Sequence, residues 1–336
     1  MCAAVALLGG GCRARQKELE PVKPASPSAT AATDTSAPPA TTVDREAEAR
    51  RSDEILAASP PARWATWPMP NFAASGLPNP ASYDVSVAGT VLDRITGLMW
   101  QRRVGNDKST FDQAVAKCND LTLAGYHDWR LPSRIELVSI LDTSRTEPSI
   151  DLSYFPNTAS DWFWSSSPAV DEPSAAWYVY FYFGYPKTDD RRSRFSVRCV
   201  RTGSPPAFKG DTDAHYAIGK DSVRDLATAL IWQRAASPRL LNYEAAESYC
   251  LSLSTDGHKD WRLPSMPELL TLVDERRTSP TIDPQAFPNS PSESFWTSSL
   301  FGNKRQQAWH VFFDHGNALY GLLKGTYRVR CVRETS

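Results

Sequence analysis

The sequence predicts an α+β fold made of two tandem copies of one domain, each with two helices and a set of antiparallel strands. Three observations predict it. First, Asp128-Trp129-Arg130-Leu131-Pro132-Ser133 returns letter for letter as Asp260-Trp261-Arg262-Leu263-Pro264-Ser265, 132 residues on. The same shift carries Cys118 onto Cys250, Phe155-Pro156-Asn157 onto Phe287-Pro288-Asn289, Trp164 onto Trp296 and Trp177 onto Trp309. It also carries Arg198-Cys199-Val200-Arg201 onto Arg330-Cys331-Val332-Arg333, with no gap from about Tyr83 onward. A period this long marks a duplicated domain and not a solenoid unit. Second, each copy spells a helix start, Ser133 with Glu136 and Ser265 with Glu268, the Ser-x-x-Glu capping box in which two side chains satisfy first-turn backbone donors. Third, a later stretch alternates Trp177, Val179 and Phe181 with Tyr178, Tyr180 and Tyr182, the period of a half-buried antiparallel strand.

From the N-terminus, residues 3–8 are apolar and run into Gly9-Gly10-Gly11-Cys12. Small residues ending in Cys resemble a bacterial lipoprotein signal over residues 1–12, with Cys12 as the lipidation site, although no basic region precedes the apolar run. Residues 13–60 are rich in Ala, Pro, Ser and Thr, with a charged patch from Asp44 to Glu54. Such a segment buries too little apolar surface to offset its ordering entropy, so a disordered tether is expected there. A short helix or docked aromatics are expected between Ile55 and Trp67. No apolar run reaches the roughly 18 residues a membrane span needs, so membrane attachment is expected only through the lipid.

The two copies occupy residues 83–202 and 215–334. Each begins with a hairpin, Val91-Leu92-Asp93 to Leu98-Met99-Trp100 and Val223-Arg224-Asp225 to Leu230-Ile231-Trp232, turning at Thr96-Gly97 or Thr228-Ala229. A helix is expected over 111–121 and 243–253, with Ala114, Val115 and Cys118 at helical spacing. The capping boxes open the second helix, whose buried face is Leu137, Val138, Ile140 and Leu141, or Leu269, Leu270, Leu272 and Val273. Pro267 suits the first turn, where a missing N–H costs nothing. Strands follow over 163–166, 176–183 and 196–201 and their counterparts.

Four Trp positions recur, Trp100, Trp129, Trp164 and Trp177 with their partners, whereas Trp64, Trp67 and Trp162 are unmatched. A ring placed identically in two copies points to a common packing solution. Apart from Cys2 and Cys12, the cysteines fall 81 residues apart in both copies, Cys118 to Cys199 and Cys250 to Cys331. One disulfide per copy is the simplest pairing, although four cysteines allow three connectivities. Metal binding is the alternative, but there is no Cys-x-x-Cys, and His127 aligns with Lys259 and His258 with Tyr126.

The chain of 336 residues is 41% hydrophobic with a formal net charge of −1, and its densest basic cluster is only Arg191, Arg192 and Arg194. That argues against nucleic acid as a partner.

The order Asp-x-x-Thr-Gly-Leu-Met-Trp-Gln, Asp-Trp-Arg-Leu-Pro-Ser, Phe-Pro-Asn, Trp-Ser-Ser and Arg-Cys-Val-Arg resembles the Lcl C-terminal domain family of bacterial surface and secreted proteins. The resemblance implies a C-type-lectin-like fold, distantly similar to the formylglycine-generating enzymes, and, for the collagen-like founding members, adhesion to sulfated polysaccharides. Copy two departs from the motifs with Ala229 for Gly97 and Thr297 for Ser165, which puts the hairpin turn in question.

Chemistry is harder to place. Asp93, Asp128, Arg130, Glu136, Asp142, Arg145, Asp151 and Arg198 recur in both copies, but caps, ion pairs and carbonyl bonds account for them as well as acid–base work does. Formylglycine-type chemistry needs free cysteines, so no enzyme activity, catalytic residue or cofactor is expected. Calcium-dependent sugar binding needs hard oxygen ligands. The sequence offers only Glu147-Pro148-Ser149 and Ser279-Pro280-Thr281, with no Trp-Asn-Asp, so no metal is expected either. The candidate ligand surface is Tyr178, Tyr180 and Tyr182, with Tyr185, beside Arg191, Arg192 and Arg194. Copy two there has His310, Phe312, Asp314 and Asn317 beside Leu323, Lys324 and Thr326. Aromatic faces beside guanidinium groups suit acidic or sulfated polysaccharide. The competing arrangement has the tyrosines covering the contact between copies and the arginines in a solvated turn. The expected protein is therefore an exported, lipid-anchored cell-envelope binding module for acidic polysaccharide, with a structural module for an envelope protein partner as the first alternative and an enzyme related to the formylglycine-generating fold as the last.

Overall fold

A computed structural model of the chain describes residues 42–203, 215–302 and 304–335. The expected signal, Cys12 and the tether as far as residue 41 lie outside the described residues. The remainder of the expected tether is not disordered: it forms helix α1 (Thr42–Ala58). Its Ala, Glu and Arg are strong helix formers, and the helix is held from outside itself. Arg51 pairs with Asp120 at 2.6 Å, Asp53 with Arg191 at 3.1 Å, Ser52 is buried, and Ile55 and Leu56 pack on the core. The sequence signal was weak because α1 has almost no continuous apolar face.

Copy one then runs β1 (Tyr83–Asp84), β2 (Thr90–Asp93), β3 (Leu98–Gln101), α2 (Phe111–Asn119), α3 (Arg134–Ser139), β4 (Trp162–Pro168), β5 (Ala175–Tyr180), β6 (Tyr185–Asp190) and β7 (Val200–Thr202). Copy two repeats it as β8 (Tyr216–Ile218), β9 (Ser222–Asp225), β10 (Leu230–Gln233), α4 (Tyr243–Ser252), α5 (Met266–Leu270), β11 (Ser294–Phe301), β12 (Lys304–Phe312), β13 (Asn317–Leu322) and β14 (Val332–Glu334). Each copy has one sheet ordered β1-β2-β3-β7, or β14-β10-β9-β8, and a second ordered β4-β5-β6, or β11-β12-β13. All named strand pairs are antiparallel, so the α+β class holds.

One detail of the repeat is corrected. Tyr83 pairs with Asp93 but Tyr216 with Asp225, so the first turn of copy one carries an extra residue and the constant shift begins at β2, not at Tyr83. The second hairpin turn survives its substitution: Ala229 takes a left-handed φ of 61° where Gly97 takes 71°. In both copies an aspartate holds the turn, Asp93 accepting from the backbone of Ile95 and Thr96, and Asp225 from Ala227 and Thr228. The change of Ser165 to Thr297 keeps the hydroxyl, which donates to Trp177 O or Trp309 O at 2.8 Å.

Both Ser-x-x-Glu boxes close as expected on α3 and α5. The disulfides pair Cys118 with Cys199 and Cys250 with Cys331, tying α2 or α4 to the residue before the last strand. Closing loops of this length stabilises by about 4–5 kcal/mol in the chain-entropy view.

Strand β5 departs from its expected half-buried state, with all six residues buried. Its alternation is aromatic against aliphatic, not polar against apolar, and both faces find partners. Tyr178 meets Phe195 edge-on at 5.1 Å and Tyr180 stacks on Trp162 at 5.0 Å, whereas Trp177 lies under the Arg134 guanidinium at 5.2 Å.

One hydrophobic cluster runs through both copies, and copy two has a second of its own around Trp261, Trp296 and the Cys250–Cys331 disulfide. They meet through equivalent elements, α3 against α5 and β6 against β13, which makes the seam a pseudo-twofold contact within one chain. Residues 59–82 reinforce it. They leave α1 beside copy one and reach copy two, where Arg63 binds Asp274 (2.8 Å from Nε), Asn71 donates to Glu268 at 3.1 Å and Trp64 stacks on His215 at 4.6 Å.

The seam is not symmetric in chemistry. Arg134 Nε donates to Glu275 Oε1 at 2.6 Å with both side chains buried, whereas the equivalent positions hold Met266 and Thr143. Glu275→Leu should leave Arg134 buried with neither counter-charge nor acceptor and cost about 3–5 kcal/mol in urea unfolding. The double variant Arg134→Met, Glu275→Thr, which copies the pair used on the other side, should recover most of it. A second expectation concerns Asp93, whose carboxyl is pushed up to about 6 by burial against the pull of its backbone donors. A folded pKa above the unfolded one makes the charged form a liability, complete above about pH 6 and absent below the unfolded pKa near 4. Asp93→Asn, which keeps an acceptor oxygen, should therefore stabilise by up to about 3 kcal/mol at pH 7.5, with the gain vanishing by pH 4 in a pH series of unfolding curves.

Candidate binding site

The structure does not gather the six expected ligand residues into one exposed face. Tyr178 and Tyr180 are buried, and only Tyr182 is partly open. Burial accordingly raises the Tyr178 and Tyr180 hydroxyl pKa values. From Tyr180 the aromatic cluster continues through Phe183 and Tyr185 into the seam, where Phe183 meets Phe301 at 5.6 Å and Tyr185 meets Trp309 at 6.2 Å. The arginines sit at the exit of β6 and already have partners. Arg191 pairs with Asp112 at 2.5 Å and with Asp53, and lies over Phe111. Arg192 forks onto Asp190, holding that carboxyl at about 2 through side-chain hydrogen bonding, and Arg194 donates to Lys108 O at 2.7 Å. The competing arrangement, tyrosines toward the seam and arginines in a turn, is the one adopted.

The polar residues common to both copies are also engaged. Arg130 grips Glu136 through two bonds of 2.7 and 2.5 Å, and Arg262 grips Glu268 at 2.8 Å twice, so each glutamate closes its capping box and takes a guanidinium fork. Arg201 binds Asp128 at 2.7 Å and Arg333 binds Asp260 at 2.8 Å. Asp142 holds Ser144 and Arg145, and Asp151 holds Ser153. Arg198 and Arg330 are fully buried with no carboxylate partner among the described residues. They donate to the carbonyls of Gln101 and Arg102, or Gln233 and Arg234, and lie over Phe155 or Phe287. Burial lowers both to about 9, which leaves them charged at neutral pH.

Two concave sites stand out among the described residues. A groove of about 460 Å³ lies between the end of α1 and the Trp129-Arg130-Leu131 segment, with Ile55, Leu56 and Val115 on its walls. The second is a cleft of about 220 Å³ at the seam, to which both copies contribute. Copy one supplies Asp171, Trp177 and Thr188, and copy two supplies Glu275, Arg277, His315 and Asn317 among others. Its charges are largely matched: Glu275 by Arg134, Arg277 by Asp274 at 3.0 Å, and His315 Nε2 lies 3.2 Å from Asp314. Burial still pushes the Glu275 carboxyl up, against the pull of Arg134. The Asn317 side-chain oxygen is buried without a hydrogen-bond partner among the described residues. Sequence reading noted Asn317 only as a position where the copies differ, and nothing along the chain signals that Trp177 would face it.

Such a cleft can hold a small polar group by hydrogen bonds to an amide, hydroxyls and a carboxylate around one indole. Among the described residues no group of three or more His, Cys, Asp or Glu is placed to hold a metal ion.

The Lcl C-terminal domain matches twice, over residues 89–201 and 221–333. The first match begins at the turn where the constant repeat shift starts. No curated protein matches the chain. With well over half of its 336 residues covered by the two matches, the chain belongs to the Lcl C-terminal domain family.

Proposed function

We propose that this chain is an exported, envelope-held protein whose two modules, lectin-like in fold, work as one rigid body to bind polysaccharide. The observation that carries the reading is the seam cleft, which neither copy could form alone and which combines an indole with hydroxyl, amide and carboxylate groups. Small sites of this composition orient a ligand through a few placed polar groups. The pairing of two sheets and two helices with a disulfide to the last strand supports the lectin-like comparison. Two disulfides suit an oxidising compartment outside the cytoplasm. No helix among the described residues is long and apolar enough to cross a membrane, and acylation of Cys12 is the anchoring route proposed.

Binding without catalysis is part of the proposal, because the shared carboxylates and guanidinium groups of each copy bond to one another or to backbone. Acidic or sulfated polymers belong to it only if the arginine pairs at 191–194 open to receive them, which would make their binding strongly salt-dependent. The alternative is a structural envelope module whose partner is a protein. It draws on the aromatic packing that fills much of the seam.

A glycan array probed with the full chain, with and without calcium and at raised salt, tests the reading. Calcium-independent binding to at least one polysaccharide class is expected. Failure across the whole array, together with capture of a defined envelope protein, would replace it with the structural alternative.

A further inference from the structure

The pseudo-twofold seam has two halves built from equivalent positions, and only one of them is filled. In the filled half Trp309 is fully buried, with Phe301 at 5.2 Å, Tyr320 at 5.7 Å and Tyr185 at 6.2 Å from its ring, and Phe183 closes over Phe301 and Tyr320. In the other half Trp177 takes the place of Trp309. The positions equivalent to the plug hold Ala169 where the first half has Phe301, Thr188 for Tyr320, Asn317 for Tyr185 and His315 for Phe183, and the Arg134 guanidinium lies over the Trp177 ring at 5.2 Å. Four aromatic rings are thus replaced by one methyl, one hydroxyl, one amide and one imidazole. Three of these residues, Thr188, Asn317 and His315, line the seam cleft.

A merely structural seam would be served by the aromatic plug on both sides, since close packing is what such contacts gain from. We infer that the open half is a site for a single uncharged sugar ring, such as the end residue of a polysaccharide; the inference rests on the saccharide-binding reading above. Size supports one ring, because about 220 Å³ falls below the ~300–1,000 Å³ of sites for drug-sized ligands. The chemistry supports a polyol. Trp177, 5% exposed and with the Arg134 guanidinium over its ring, contributes an apolar edge, and the Thr188 hydroxyl and the Asn317 amide contribute hydrogen-bonding groups for ring hydroxyls. The absence of charge follows from the walls. Glu275 and Arg277 each have an opposite charge from the chain itself, and Asp171 at the cleft lies 4.0 Å from His315, so no unmatched cation awaits a carboxylate or sulfate.

The test uses the full chain and its variant Thr188→Tyr, Asn317→Tyr, which places in the open half the tyrosines already tolerated at the equivalent positions of the filled half. Glucose, galactose, N-acetylglucosamine and glucuronate are titrated separately and followed by saturation-transfer NMR and calorimetry. At least one of the three neutral sugars should bind, glucuronate should bind less well, and raised salt should leave the neutral sugar's affinity unchanged. The tyrosine variant should lose it. Should that variant fail to fold, the near-isosteric Thr188→Val, Asn317→Leu removes the polar wall without changing its shape, and its affinity should fall by about tenfold or more. No binding by any neutral sugar overturns the inference, as does unchanged affinity in a folded variant. Array binding by the wild-type chain that persists in the folded tyrosine variant overturns the seam assignment while leaving the polysaccharide reading standing. Silence on the array and in the sugar titrations removes both.

Discussion

The contact of α3 with α5 and of β6 with β13 is the constraint on which the rest of the structure depends. A self-complementary contact between separate subunits obliges one sequence to serve both sides. Here the two sides are encoded separately. One half of the seam can therefore hold an aromatic plug while the other holds Arg134, Glu275, Thr188 and Asn317 without disturbing it. Duplication followed by divergence is what permits an asymmetric cleft on a near-symmetric frame. The segment from α1 to Asn71 bridges both copies, with Arg63 on Asp274 and Asn71 on Glu268, and so holds the seam from outside.

Within each copy the polar family motifs turn out to be architectural. Asp-Trp-Arg-Leu-Pro-Ser places a buried indole, a guanidinium on the capping glutamate, and a Pro132 carbonyl that accepts from Ser166 at 2.7 Å. Phe-Pro-Asn places a ring under Arg198 and an Asn at positive φ, 62° in copy one and 56° in copy two, a conformation Asn tolerates better than most residues. Buried charges are costly unless every donor and acceptor is met. A fold that repeats the same arrangement twice has met most of them the same way twice, which is why these residues return at a fixed shift.

Much of this was legible along the chain. The duplication, the capping boxes, the cysteine pairing and the antiparallel order each rest on local signals, so Ser133, Glu136 and Cys118 could be placed without coordinates. What failed depended on contacts between distant segments. Helix α1 is polar and is held by Asp120, Arg191 and the copy-one core, none of which its own residues announce. The alternation in β5 was real, but tyrosines at the supposed solvent face are covered by Trp162 and Phe195. For the same reason the expected ligand residues do not form one exposed face: aromatic side chains near arginines in sequence became a buried cluster and an ion-paired turn. The cleft itself was invisible, since it exists only where Trp177 of one copy faces Asn317 of the other.

Binding at a seam requires that the seam not open independently of the domains it joins. Shared core, crossing segment and buried ion pair all make the two copies one cooperative unit. Differential scanning calorimetry of the full chain with both disulfides intact tests this most directly. One transition is expected, with calorimetric and van't Hoff enthalpies in agreement. Two separable transitions, one per copy, would contradict it.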